Sequence, residues 1–443
     1  MKVTIQTLGC KVNQADSASI EGALRNNNHK IVNYKDNPDV WVINTCTVTA
    51  KSDHQSRQLI RKAIRSGAKV IATGCYAQLN SNSLSTTKGL SVATGNADKT
   101  AIISYLKKLS TLSDDTIITN TGNPESPLTL QPYYSERSRA FLKIQDGCNF
   151  SCSYCTVPLA RGKSRSLSKD DVLTSVDRFV SAGYREIVLT GVHIGSYGID
   201  FDSNGSLFDV TKEIVSSYPD IRIRISSIEP NEFSHDFLDL INKGSVCPHL
   251  HIPLQSGSDK VLGMMKRGYR TSSYKQLINS ILTECPDISI GTDIVVGFPG
   301  ETEKDFNDTV KYLNDLPISY LHVFPFSKRP NTKASNFPNQ ISDLIKKKRV
   351  KKLLQLGETK KKAYITKYLY HELDVIVEKR DQTSGYYKAI SDNYLKVLVE
   401  SDYLDPKDRL KVKVISISGS DLITRLSNNI SPLFNSVFNL PNY

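Results

Sequence analysis

The sequence predicts an α/β protein in three parts: an amino-terminal doubly wound parallel sheet, a central partial β/α barrel, and a small all-β module at the carboxyl end. Three observations carry this. Strand-like and helix-like runs alternate from residue 1 to about 105, and alternate again from 139 to about 335. Between 371 and 427 the helical period is lost and apolar and polar residues alternate, as in Lys411-Val412-Lys413-Val414. A stretch rich in Ser, Thr, Asn and Pro separates the two βα series and marks a linker. The expected units are 1–107, a linker 108–138, a barrel with its following basic helix 139–369, a β module 370–430 and a tail 431–443.

In the first unit, strands are expected at Val3–Leu8, Val40–Asn44 and Lys69–Thr73, followed by Gly9-Cys10, Thr45-Cys46 and Gly74-Cys75. A helix over Ser52–Arg65 keeps Leu59, Ile60, Ala63 and Ile64 on one face. Each of the three cysteines then falls just past the carboxyl end of a strand, where open α/β sheets bind ligands. Three thiols converging on one sheet edge make a metal site. The barrel strands are expected at Ala140–Ile144, Glu186–Thr190, Ile221–Ser226, His249–Leu254, Ile288–Val296 and Tyr320–Phe324, with the ligand mouth at their carboxyl ends. A basic helix over about 340–369 leads into a β module of about five strands, with turn signals at Ser384-Gly385 and Asp405-Pro406. The tail carries Phe434, Phe438 and Leu440, which either dock on the body or dangle.

At 443 residues with 39% hydrophobic content, the chain has the length of about three domains and enough apolar residues for real cores. A net charge of +12 invites a polyanionic partner. Residues 343–362 hold nine Lys or Arg against Asp343 and Glu358, more than half of that surplus. Such a run is either a solvated helix face or a phosphate-binding one. The opening MKVTIQ is too short and polar for a signal core, and no apolar run is long enough to span a membrane, so a cytoplasmic protein is expected. Thiols stay reduced in that compartment, so eight cysteines point to metal ligands before disulfides.

The strongest signal is Cys148-Asn-Phe-Ser-Cys152-Ser-Tyr-Cys155, directly after the first barrel strand. Zinc sites usually close on four ligands, and here no histidine or fourth cysteine follows nearby. Three thiolates can hold three irons of a [4Fe–4S] cluster and leave the fourth open for a reacting molecule. Tyr154, directly before the last cysteine, completes C-x3-C-x-Φ-C. This resembles the motif of the radical S-adenosylmethionine superfamily.

Leu8-Gly9-Cys10-Lys11-Val12-Asn13-Gln14, Asn44-Thr45-Cys46-Thr47-Val48 and Thr73-Gly74-Cys75-Tyr76-Ala77-Gln78 resemble the amino-terminal domain of the methylthiotransferases. The resemblance continues through His251-Ile-Pro-Leu-Gln255 and Val296-Gly297-Phe298-Pro299-Gly300-Glu301, and the β module is similar to the RNA-binding TRAM domain. It implies a radical enzyme with two [4Fe–4S] clusters and S-adenosylmethionine, in which Cys10, Cys46 and Cys75 hold the sulfur-bearing cluster and Cys148, Cys152 and Cys155 the radical-generating one. The first cysteine segment looks like the branch that modifies N6-threonylcarbamoyladenosine in tRNA. The alternatives are isopentenyladenosine in tRNA, a ribosomal protein, or a non-catalytic iron–sulfur RNA-binding protein. The implied partners are the tRNA anticodon arm and a reductase or flavodoxin-type electron donor.

Candidate cofactor-pocket residues are Tyr154, Thr190, Gly191, Ser226, Glu229, Gln255, Asp293 and Gly297; for each taken singly, loop packing is an equal reading. Arg161 and Arg165 are expected to meet phosphate or carboxylate groups. Tyr386, Tyr387, Tyr394 and Lys396 offer stacking and charge for RNA. Cys247 and Cys285 read as plain thiols, and His193 and His251 as structural. Asn331 stands where relatives commonly carry glycine, which leaves the conformation of its loop open.

Overall fold

The computed structural model describes residues 1–97, 99–109, 117–124, 128, 137–202 and 205–427. The tail with Phe434, Phe438 and Leu440 lies outside them, as does most of the linker.

Six parallel strands form the amino-terminal sheet, side by side in the order Lys30–Ile31, Lys2–Thr7, Val40–Thr45, Lys69–Gly74, Val92–Thr94 and Ile118–Asn120. The chain runs outward from Lys2–Thr7 to one side and then returns to build the other. The strand order therefore reverses between Lys2–Thr7 and Val40–Thr45. Val40–Thr45 is buried along its whole length, as expected of a parallel strand covered on both faces. The strand Ile118–Asn120 is the one regular element of the linker among the described residues.

The barrel is a half-closed one. Ala140–Lys143, Glu186–Thr190 and Arg222–Ile225 make one three-stranded parallel sheet, and His249–His251, Ser289–Val296 and Tyr320–Pro325 another. The seam between them is carried by the Ile223–Val246 bridge and by Ile228 N–H donating to the His251 carbonyl. Side chains alternate along each strand. Ile187, Leu189, Ile223, Ile225, Leu250 and Ile290 pack against the outer helices in one large core. The opposite, concave face carries Glu186, Arg222, Arg224, His249, His251, Asp293, Tyr320 and His322.

The β module is a closed five-stranded barrel in the order Glu372–Arg380, Tyr387–Ser391, Lys396–Glu400, Asp421–Leu426 and Arg409–Ser418. Its backbone is tied to the concave face of the central barrel. Arg222 donates to the Asp374 carbonyl at 2.9 Å, and Arg224 to those of Asp392 and Ser391 at 2.8 and 3.0 Å. Both arginines are buried and share Glu186, and Arg222 also meets the Asp374 carboxylate at 3.3 Å.

Two contacts set the amino-terminal domain against the barrel. On one side Asp16, on the helix Lys11–Asn26, meets Lys99, Lys143 and Arg161, while Arg161 also grips Asp146 through two 2.8 Å bonds. Arg161 further donates to Asn13 at 2.6 Å, and Asn13 donates to the Leu8 and Thr45 carbonyls. Burial alone would raise both carboxylates, but the surrounding cations hold Asp16 and Asp146 well below the usual range. On the other side Arg329, beyond the last barrel strand, donates to Thr47 and Asp53, and Ser327 accepts from Ala50 N–H at 2.8 Å. The first domain thus spans the two edges that the half barrel leaves open. Arg161 is held by internal carboxylates, and Arg165 lies beside them, 3.9 Å from Asp146.

Asp16→Ala leaves three buried cations short of their shared anion and is expected to destabilise the chain by about 3–5 kcal/mol, read as a lower denaturant midpoint. Because the folded carboxylates titrate below their ordinary range, this contribution is complete above about pH 4 and is lost as acid protonates them.

Candidate functional site

Gly9-Cys10 and Cys46 follow the two strands that flank the reversal of the amino-terminal sheet, and Cys75 follows the next strand over. Such a crevice is where open α/β sheets hold ligands. Gly9 has φ +93°, and a Cβ there would lie 2.8 Å from the Cys46 sulfur, so only glycine lets the two cysteine segments approach. Ser56 fixes the Cys46 backbone, accepting its N–H at 3.3 Å and donating to its carbonyl at 3.0 Å. Burial, with Cys75 and Cys10 nearby, pushes the Cys46 thiol up. Asn96 places its amide 3.6 Å from the Cys75 sulfur and 2.8 Å from the Ala160 carbonyl. Ala160 belongs to the short helix Val157–Arg161 that follows the second cysteine triad. One asparagine therefore links both cysteine regions.

The 148–155 loop is held from three sides. Cys148 N–H donates to the Gly162 carbonyl, Ser153 N–H to that of Met265, and the Ser153 hydroxyl to that of Met264. Gln145 donates to the Asp146 and Gly147 carbonyls and accepts His193 N–H. Every sulfur in the loop receives a donor. Phe150 N–H points at Cys148 Sγ, Val157 N–H at Cys155 Sγ and the Arg267 guanidinium at Cys152 Sγ, each at 3.4 Å. The loop opens on a 580 Å³ cavity lined also by Lys163, Asn331, Thr332 and Lys333.

Both triads fit iron–sulfur clusters. Among the described residues, the group of three ligating side chains whose atoms all lie within 4.8 Å is His251, Asp293 and His322; the cysteine triads are wider. A single zinc ion would need its sulfurs about 3.8 Å apart, given Zn–S bonds of about 2.3 Å. Burial pushes the Cys155 thiol up to about 12, so a bound metal is what would hold it as thiolate at neutral pH. The cations Lys99, Lys143 and Arg161 outnumber Asp16 and Asp146, and Cys75 and Cys10 lie within the field of Arg161. That surplus suits a thiolate-ligated, anionic group. N–H donors on the sulfurs are the usual means of tuning a cluster.

The remaining candidates divide. Glu229 pairs with Arg267 beside Cys152, and burial keeps its carboxyl above the ordinary value despite that pairing. Ser226 Oγ is buried without a protein partner, which leaves it available to a bound group. Thr190 is buried at its strand end, and Gly191 abuts Gln145, where a Cβ would meet Oε1 at 2.8 Å. Tyr154 instead turns its ring edge-on to Phe298 within a small apolar cluster. Gln255 adopts φ +69° and pairs its backbone with Asp293 and Val295. Asp293 is engaged by His251 at 2.9 Å and His322 at 3.2 Å. Gly297 lies beneath Lys346 of the basic helix, where a Cβ would come within 2.4 Å of that side chain.

Two residues at the loop carry no sequence signal of their own. Arg267 sits beyond a helix more than a hundred positions from Cys152. His193 reads as structural in the sequence, yet its Nδ1 is 3.3 Å from Cys148 Sγ and its Nε2 2.7 Å from Glu232. Although burial opposes it, those two partners push His193 up to about 10. Asn331 has φ +64°, the left-handed conformation that glycine adopts freely and that asparagine tolerates best among other residues. Its departure from glycine therefore keeps the loop.

Residues 142–313 match the Radical SAM superfamily, and residues 2–95 match the family described as Uncharacterized protein family UPF0004. The threonylcarbamoyladenosine tRNA methylthiotransferase MtaB of Aquifex aeolicus is 37% identical over 90% of this chain and 98% of its own length. The Bacillus subtilis protein of the same name is 34% identical over 93% of each chain. A tRNA-2-methylthio-N(6)-dimethylallyladenosine synthase of Fusobacterium nucleatum is 31% identical over 85% of this chain and 88% of its own. In fold, the chain is similar to the radical S-adenosylmethionine methyltransferase TsrM of Kitasatospora setae, with a TM-score of 0.57 at 14% identity over 75% and 76% of the two chains.

Arg267→Met removes the donor to Cys152 Sγ and leaves Glu229 without its cation. The expected outcome is a more negative midpoint potential for the cluster in the 148–155 loop, followed by potentiometric electron paramagnetic resonance.

Proposed function

Because the chain belongs to the radical S-adenosylmethionine methylthiotransferase family, we propose that it converts N6-threonylcarbamoyladenosine beside the tRNA anticodon to its 2-methylthio derivative. The observation that carries this reading is the meeting of two cysteine triads across one domain contact, bridged by Asn96. Family members carry two [4Fe–4S] clusters and use S-adenosylmethionine. Cys148, Cys152 and Cys155 would hold one cluster and Cys10, Cys46 and Cys75 the other. Bound there, these groups supply radical hydrogen abstraction at adenine C2 and the sulfur that replaces that hydrogen.

The chain's own residues supply position and charge. The backbone N–H groups of Phe150 and Val157, with Arg267, stabilise negative charge on the three loop sulfurs. Asn96 and the Arg161 cation cluster do the same for the other triad. The amino-terminal domain covers the open side of the half barrel and so keeps bulk water from the reacting centre. Glu229 and Ser226 would accept or donate hydrogen bonds to S-adenosylmethionine, a role supported by the unpartnered, buried Ser226 Oγ. A reductase or flavodoxin-type protein would supply the electron. No helix among the described residues is long and apolar enough to cross a membrane, and we place the enzyme in the cytoplasm with its tRNA.

The basic helix, Asp343–Thr366, changes the expected RNA grip. Arg349 is buried against Glu301 at 2.5 Å and also pairs with Glu303. Lys346 pairs with Asp343 over the Phe326 ring, and Lys360 donates to the Asn314 and Leu316 carbonyls. These three hold the helix on the barrel. Lys347, Lys348, Lys351 and Lys362 are exposed and remain for phosphate. In the β module Tyr387 is part of the core and Tyr394 stacks inward on His249, so Tyr386 and Lys396 are the surface pair left from that set.

Nucleoside mass spectrometry of bulk tRNA, with and without the gene, tests the reaction and its target together. The expected result is loss of 2-methylthio-N6-threonylcarbamoyladenosine with its unmethylthiolated precursor retained. Restoration by the unaltered gene and not by one bearing Cys10→Ala or Cys148→Ala ties the product to both triads. Unchanged tRNA nucleosides would sink the reading.

Replacing Lys347, Lys348 and Lys351 by glutamine should weaken tRNA binding. It should also flatten the dependence of log K on log salt by roughly 0.7 for each phosphate that is no longer neutralised. Reductive cleavage of S-adenosylmethionine without RNA should stay at the unaltered rate. Binding isotherms across a salt series decide it.

A further inference from the structure

Lys11 directly follows Cys10 and opens the first helix, and its side chain leaves the amino-terminal domain to enter the concave face of the half barrel. There its Nζ lies 5.5 Å from the centre of the Tyr394 ring. Arg224 and Arg139 approach the same ring at 5.1 and 6.0 Å, and His249 stacks on it at 4.4 Å. Tyr394 belongs to the β module and Arg224 to the barrel, so all three domains meet at this point.

The carboxylates here already have partners. Arg224 is bonded to Glu186 at 2.8 Å, and Arg139 to Glu378 at 3.1 Å with Glu186 at 3.7 Å. Asp293 is taken by His251 and His322. Lys11 stands among Arg224, Arg139, Glu186 and Asp293. Among the described residues its ammonium has no carboxylate partner, and it has only the face of an aromatic ring. A cation so placed, half-buried and next to other cations, favours an incoming anion.

We propose that Lys11 is the specificity-determining residue for the substrate's N6 arm, and that its ammonium receives the carboxylate of the threonylcarbamoyl group. This rests on the functional reading above and deepens it. The adenine must bring C2 to the cluster on Cys10, Cys46 and Cys75, and Lys11 is the neighbour of Cys10. A lysine side chain and a threonylcarbamoyl arm are of similar reach, so the two can meet within the concave face. An arm ending in methyl groups would leave this half-buried ammonium without a partner, which is how a polar pocket rejects an apolar analogue.

The test uses the holoenzyme and two anticodon stem-loop RNAs, one bearing N6-threonylcarbamoyladenosine and one the methyl ester of the same arm. The ester keeps shape and removes charge. The unaltered enzyme is expected to prefer the acid by roughly ten- to a hundredfold in kcat/KM. Lys11→Gln should bring that preference close to one, and Lys11→Arg should keep most of it. Because both RNAs are measured on one preparation, the ratio is independent of the fraction loaded with iron. Equilibrium binding of the two RNAs to the same variants should follow the same order and needs no turnover.

A ratio near one in the unaltered enzyme overturns the assignment. So does a Lys11→Gln ratio that stays at the unaltered value in both assays. If the acid RNA is converted but the ratio does not move, the role of Lys11 falls while the proposed reaction stands. If S-adenosylmethionine is cleaved and neither RNA is methylthiolated, the proposed target falls and the assignment with it.

Discussion

Asp16 is one carboxylate shared by three buried cations from separate parts of the chain, Lys99, Lys143 and Arg161. Burying so many charges is unfavourable unless each finds a partner, and a network of this kind forms only when both domains are in place. It therefore acts as a register. Arg161 ends the short helix behind the 148–155 loop and reaches Asn13, which in turn holds the carbonyls of Leu8 and Thr45. Those two carbonyls sit two residues before Cys10 and one before Cys46. A chain of hydrogen bonds thus runs from the backbone of one cysteine triad to that of the other.

The same network is left with a positive surplus, and the surplus falls beside the amino-terminal triad. A thiolate-ligated cluster needs that charge, whereas a neutral protein interior would resist it. The loop at 148–155 solves the same problem differently, with local N–H donors and a single guanidinium. The amino-terminal triad has the distributed field with Asn96 as a donor to Cys75, and the other triad has a donor at every sulfur. The difference matches their settings: a crevice between two domains, and a loop at the mouth of one.

The concave face of the half barrel follows a similar logic. Glu186 pairs with both Arg222 and Arg224, and their remaining guanidinium donors hold carbonyls of the β module. The module is therefore docked largely through backbone atoms, with Asp374 and Glu378 adding ion pairs to Arg222 and Arg139. Tyr394 also takes part. It has φ +70° and projects into the barrel, where Lys11 reaches it from the opposite domain. On the outer surface the basic helix divides its charge in the same way, with Arg349 and Lys346 spent on attachment and the exposed lysines facing solvent.

Periodicity and turn chemistry make the three-part α/β organisation readable without coordinates, because parallel strands and their helices are encoded by local apolar pattern. The cysteine spacing at 148–155 is readable for the same reason, since its three cysteines lie within one loop. Even the expected site for Cys10, Cys46 and Cys75 follows from the place of each just past the carboxyl end of a strand. What the sequence does not carry is any relation between residues far apart in the chain whose meeting depends on how domains dock. Arg161 is legible as a cation seeking an anion, but not as the partner of Asp16. Lys346 and Arg349 look like free charge in the sequence, whereas in the fold carboxylates stand against both. Tyr394 looks like an RNA platform and instead faces inward. Arg267, His193, Asn96 and Lys11 acquire their roles only from proximity to thiols and rings tens to hundreds of residues away. Local pattern determined the elements of this protein and the cysteine triads proposed as ligands; long-range charge pairing, which has no period and no spacing rule, decided in the tertiary structure how they face one another.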